Sequence, residues 1–124
     1  MNTPVDGQIK KYIATFAHNF PKAKSLLMDL STTSPKEFMN SLKLREGELD
    51  LLAGGPPCQG FSKNVPKKMR EANSANNKLV ESYLDYCEAI QPRFIMMENV
   101  AEMKNGFDMA YTDKILNRLD AIWY

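Results

Sequence analysis

Cys58 is the side chain in this sequence best suited to making and breaking a covalent bond. It lies in the run Gly54-Gly55-Pro56-Pro57-Cys58-Gln59-Gly60-Phe61-Ser62. Two prolines fix the backbone ahead of the thiol and glycines flank them, so the run is a rigid turn that presents one sulfur. A free thiol with a pKa of about 8.5 is only a few per cent thiolate at neutral pH. Backbone N–H groups in such a turn, or a helix start just after it, raise that fraction. The bland alternative, a small buried residue in a tight turn, describes most cysteines. Glu98 is the second candidate. It follows the apolar run Phe94-Ile95-Met96-Met97 and precedes Asn99-Val100. A carboxylate in that position is either a cap or a functional group. Partial burial would keep it protonated near neutral pH, as an acid partner for a ring nitrogen requires. Asp29 is the third, placed directly after the short apolar stretch 25–28.

The elements that must position these groups can be read from periodicity. Ile9, Tyr12, Ile13, Phe16 and Phe20 share one helical face, which predicts an amphipathic helix over about 8–19, ended by Pro21. Ser34-Pro35-Lys36-Glu37 is a helix start, with Ser34 as cap, Pro35 in the first turn and Glu37 completing a capping box. Phe38, Met39 and Leu42 are its expected buried face. Residues 25–28, 49–53 and 94–97 are apolar and short and read as buried strands. Leu79, Tyr83, Tyr86, Cys87 and Ile90 mark a helix ended by Pro92, and Ile115, Leu116, Leu119 and Ile122 mark another over about 111–122. Residues 63–77 are polar and carry Lys63, Lys67, Lys68 and Arg70, which reads as a loop.

Strands alternating with helices predict an α/β domain: a parallel sheet with helices on both faces. Right-handed crossovers bring the carboxyl ends of its strands to one edge, where ligands of such sheets bind. Asp29, Cys58 and Glu98 all sit at that edge. Topology alone therefore predicts that Cys58 and Glu98 come together, and it favours the functional reading of both.

Composition sets the outer limits. The 124 residues suffice for one small domain, and the formal net charge of +1 gives no whole-chain basic field. Any nucleic-acid contact must be local. No apolar run reaches the roughly 18 residues a membrane helix needs, and the polar start lacks the apolar stretch of a signal peptide. The expectation is a cytosolic protein, or a nuclear one in a eukaryote, with Cys58 and Cys87 as free thiols. Cys87 falls on an apolar helix face and reads as core. No metal-ligand spacing occurs.

Leu51-Leu52-Ala53-Gly54-Gly55-Pro56-Pro57-Cys58-Gln59-Gly60-Phe61-Ser62 resembles the Pro-Cys-Gln catalytic motif of the cytosine-5 DNA methyltransferases. Glu98-Asn99-Val100 resembles that family's Glu-Asn-Val motif. Asn77-Lys78-Leu79 with Pro92, and upstream Thr15-Phe16, Asn19-Phe20-Pro21 and Met28-Asp29-Leu30, follow the family order. The resemblance implies a partial Rossmann-like fold, part of a methyltransferase catalytic domain of the kind found in restriction–modification. It implies S-adenosylmethionine as cofactor and double-stranded DNA as partner. Cys58 would attack C6 of a cytosine swung out of the duplex, and Glu98 would hold N3 and the exocyclic amine. Asp29, Leu30, Gly55, Pro57 and Leu79 would face the cofactor. Gln59, Ser62 and Asn99 would support the base or nearby DNA. Lys63, Lys67, Lys68 and Arg70 would clamp phosphates, although such a charge run is more often a solvated face.

The sequence also departs from that family. No Gly-x-Gly is present for the cofactor's methionine end, and Asp6 is only a near candidate for the ribose contact. Downstream of Glu98 no Gln-x-Arg follows, and Asn76 stands where the family often has arginine. The expectation is therefore 124 residues of a longer enzyme, inactive in isolation. Two readings compete with it: one subunit of a split enzyme, and a degenerate remnant serving as an interaction module that meets its missing half or a second copy through an open sheet edge. RNA cytosine-5 methyltransferases share the same motifs, and a thiol redox role would need a second cysteine nearby.

Overall fold

The computed structural model describes residues 4–57, 78–98 and 110–123. The first helix, α1 (Pro4–Asn19), begins earlier than its periodicity suggested. Its apolar face is open: Tyr12 is 67% and Phe20 56% exposed, and the Phe16 and Phe20 rings lie 5.0 Å apart.

Residues 25–28 are not a strand, which corrects the expectation from sequence. An apolar run specifies a strand only where a neighbour can satisfy its N–H and C=O groups. Among the described residues no strand lies beside it. The segment ends in a tight turn instead. Asp29 accepts from the Thr33 N–H through its carbonyl (2.9 Å) and from the Ser31 N–H through Oδ1 (2.9 Å).

α2 (Pro35–Leu42) forms where the capping box demanded. Ser34 Oγ accepts from the Glu37 N–H (3.3 Å), and Glu37 Oε2 accepts from the Ser34 N–H (2.9 Å) and hydroxyl (2.8 Å). The helix stops at Lys43, held in the left-handed conformation at φ 55°.

Among the described residues two parallel strands pair. β1 (Leu51–Gly54) pairs with β2 (Phe94–Met97) in the register Leu51↔Phe94 through Gly54↔Met97. The crossover between them includes α3 (Lys78–Ile90), which ends at Gln91 (φ 47°) before the buried Pro92. Arg93 and Asp50 pair at 3.0 Å where the strands begin. The last helix, α4 (Ala110–Trp123), lies against α3.

The core is small and forms around α3. Val80, Leu84 and Ile115 make a buried cluster, with Met97 and Leu119 against it. Tyr86 meets Phe38 of α2 edge to face, with ring centroids 5.2 Å apart. Outside this core Arg118 joins α4 to α3 through Glu81, Asp85 and Glu88, and Lys114 adds a second bond to Glu81. On one face of the sheet Tyr83 of α3 lies on Gly54, and Met97 packs against the Val80–Leu84–Ile115 cluster. The opposite face is open among the described residues: Phe94 is 70%, Met96 58% and Leu51 49% exposed. Among the described residues no helix is long and apolar enough to cross a membrane.

Candidate active site

Parallel pairing brings the carboxyl ends of β1 and β2 to the same edge. Gly54 ends β1, and its carbonyl accepts from the Glu98 N–H at 2.9 Å. Glu98 is thus fixed directly beside the turn Gly55-Pro56-Pro57. A Cβ built on Gly55 would lie 3.3 Å from Glu98 Oε2, so the carboxylate rests over the Gly55 backbone. Glu98 is exposed, and the partial burial on which its acid role was argued is not seen among the described residues.

Gly54 is tighter. A Cβ there would stand 2.5 Å from Tyr83 Cε2 and 2.9 Å from Cδ2. The Tyr83 ring therefore lies on the bare backbone of β1, and only glycine leaves room for it. The Tyr83 hydroxyl is 3.0 Å from Leu52 O on β1 and 3.0 Å from Met96 O on β2. Burial first, then the neighbouring Cys87 thiol, pushes the Tyr83 phenol well above its ordinary range.

Against this edge lies a cavity of about 320 Å³. β1 and its turn, from Leu52 to Pro57, form one wall. Leu79, Ser82, Tyr83 and Tyr86 of α3 form the second, and Leu30 and Phe38 the third. Its size is that of a small-molecule site, and its lining of aliphatic and aromatic groups with open glycine backbone suits a flat ring system.

Four sequence-predicted residues, Leu30, Gly55, Pro57 and Leu79, line this one cavity although they are scattered along the chain. Asp29 is exposed beside Leu30. The Ser31 hydroxyl and N–H bind its Oδ1 and hold its carboxyl below the ordinary value. Cys58, Gln59, Ser62, Lys63, Lys67, Lys68, Arg70 and Asn99 lie outside the described residues, as does the stretch 63–77 read as a loop. Cys87 is core, as its helix face suggested, and burial pushes its thiol up to about 11.

Phe38, Tyr83 and Tyr86 also line the cavity but were read only as helix-face residues. The signal for Tyr83 was present: it lies one helical turn after Leu79, on the same face. A half-buried tyrosine also needs a partner for its hydroxyl.

The family model for C-5 cytosine-specific DNA methylase matches residues 6–124. The type II methyltransferase M.AgeI of Thalassovita gelatinovora is 30% identical over 112 residues, covering 90% of this chain and 25% of that protein. DNA (cytosine-5)-methyltransferase PliMCI of Paracentrotus lividus is 48% identical over 56 residues, 45% of this chain and 4% of its own length. DNA (cytosine-5)-methyltransferase 1 of Mus musculus is 45% identical over 67 residues, 52% of this chain and 4% of its own length. The chain thus spans a quarter or less of these relatives.

Proposed function

The chain belongs to the C-5 cytosine-specific DNA methylase family, and from that membership we propose that it carries the nucleophile, its acid partner and part of the cofactor pocket for methyl transfer to C5 of cytosine in DNA. The observation that carries this reading is the meeting of Glu98 with the Gly55 turn at one strand edge, beside the cavity. Pro57 is bonded to Cys58, so the thiol follows directly from that turn.

S-adenosylmethionine supplies an electrophilic methyl group when bound. The aromatic and aliphatic cavity fits its flat adenine: Leu30, Gly55, Pro57 and Leu79 would hold it, with Asp29 beside them at the adenosine side. Cys58 forms the S–C6 bond with a cytosine flipped from the duplex. The electron pair of the C5–C6 double bond is drawn through the ring toward N3, where Glu98 donates a hydrogen bond or proton. C5 would become nucleophilic and take the methyl group, the C–S bond of the sulfonium breaking to leave a neutral thioether. Loss of the C5 proton to water, with return of the N3 proton to Glu98, would re-form the double bond and expel the Cys58 sulfur. This is nucleophilic catalysis, one hard substitution divided into easier steps. Gln59, Ser62 and Asn99 are assigned to the base and its neighbours. Lys63, Lys67, Lys68 and Arg70 are assigned to phosphates.

Trapping tests the reading. In a protein that carries this segment within the complete catalytic domain, with S-adenosylmethionine and a duplex containing 5-fluorocytosine, the fluorine cannot leave as the C5 proton does, and a covalent adduct on Cys58 is expected by denaturing gel and peptide mass spectrometry. Cys58→Ser is expected to abolish it. An undiminished adduct from Cys58→Ser would overturn the assignment of the nucleophile. An adduct on RNA and not on DNA would move the substrate to RNA.

A further inference from the structure

The Tyr83 side chain reaches both strands. Its ring lies on Gly54, where any β-carbon would collide with it at 2.5 Å. Its hydroxyl is 3.0 Å from the carbonyls of Leu52 and Met96. Each of those residues stands two positions before a residue at the candidate site: Leu52 before Gly54, and Met96 before Glu98. One turn earlier on the same helix, Leu79 lines the cavity with Tyr83.

From these positions we propose that Tyr83 is a positioning residue: its hydroxyl seats α3 on β1 and β2 at once, and so sets the offset between the Gly55-Pro56-Pro57 turn and the Glu98 carboxylate. The proposal rests on the methyl-transfer reading for its kinetic consequence and on geometry alone for its structural one. Two strands joined only by ladder hydrogen bonds can shear at their ends, where the ladder stops. A donor shared between carbonyls of both strands opposes that shear and ties it to helix position. The ring lies on Gly54 of β1, and the hydroxyl supplies the hydrogen bond to Met96 O of β2.

Tyr83→Phe keeps the ring and removes the hydroxyl. Two measurements on this variant decide the matter. Amide hydrogen exchange is expected to quicken about tenfold at Glu98, whose N–H donates to Gly54 O, and to stay unchanged at Phe94, whose N–H donates to Asp50 O at the far end of the strands. In the complete catalytic domain at saturating cofactor and DNA, the rate of adduct formation on Cys58 is expected to fall about tenfold, with the Michaelis constant for the duplex unchanged.

Arg118→Gln is the stability control. It breaks the ion pairs between α4 and α3 but touches neither strand, and it should leave the Glu98 exchange and the adduct rate at parental values. Parental exchange at Glu98 in Tyr83→Phe, or equal quickening along both strands, would overturn the inference. So would an adduct rate lowered as much by Arg118→Gln as by Tyr83→Phe. A Cys58→Ser protein that still forms adduct would overturn the methyl-transfer reading, and the exchange result would still decide the role of Tyr83.

Discussion

A side-chain carbon on Gly55 would lie 3.3 Å from Glu98 Oε2, tighter than ordinary van der Waals contact. Gly55→Ala should therefore displace the carboxylate by a few tenths of an ångström and leave the strands as they are. Reactions that depend on a near-attack geometry lose rate steeply with such shifts. The expected outcome is an adduct rate about tenfold lower with an unchanged melting temperature, read by quenched trapping and calorimetry. A parental rate would mean that Glu98 does not hold this position in solution. The site was partly legible at this scale. The four residues Leu30, Gly55, Pro57 and Leu79 that share the cavity were chosen from motifs, not from periodicity. Tyr83 escaped because a tyrosine on an apolar helix face looks like packing until its hydroxyl is asked for a partner.

At the scale of elements, α2 offers the sharpest link between sequence and structure. Ser34 and Glu37 satisfy each other's N–H groups, so the helix start is written in two residues three apart. Ser34→Ala should cost about 1 kcal/mol of stability, measured by urea unfolding. Glu37 adds a pH dependence. Its carboxyl is held below its ordinary 4.5 by the Ser34 N–H first and the hydroxyl second. A lowered carboxylate contributes stability that is present above the unfolded value and is lost as pH falls through the folded one. Stability should decline below about pH 4.5, and Glu37→Gln should flatten that decline; an unaltered acid limb would show the bond absent in solution. β2 was legible for a similar local reason: Pro92 stops α3, and four apolar residues then run to Glu98. The strand expected at 25–28 had the same apolar look but no partner among the described residues, and Leu27 is 60% exposed. Pairing is a property of two segments, and one segment's hydrophobicity does not encode it.

At the scale of the whole molecule, the described residues have a closed side and an open one. On one face Met97 packs against the Val80–Leu84–Ile115 cluster and Tyr83 lies on Gly54, while Leu51, Phe94 and Met96 are exposed on the other. The alternation of a strand divides neighbours between the two sides. Met96 and Met97 are adjacent and chemically identical, yet Met96 is 58% exposed and Met97 packs against the core. Their oxidation chemistry should differ accordingly. Dilute peroxide should convert Met96 to its sulfoxide well before Met97, as peptide mass spectrometry would read, and equal rates would show the open face covered in solution. A sulfoxide at Met96 makes a greasy surface more polar and should ease solubility. The same oxygen on Met97 would enter the core and loosen it. One pleat thus sets a methionine open to oxidants beside one that packing shields.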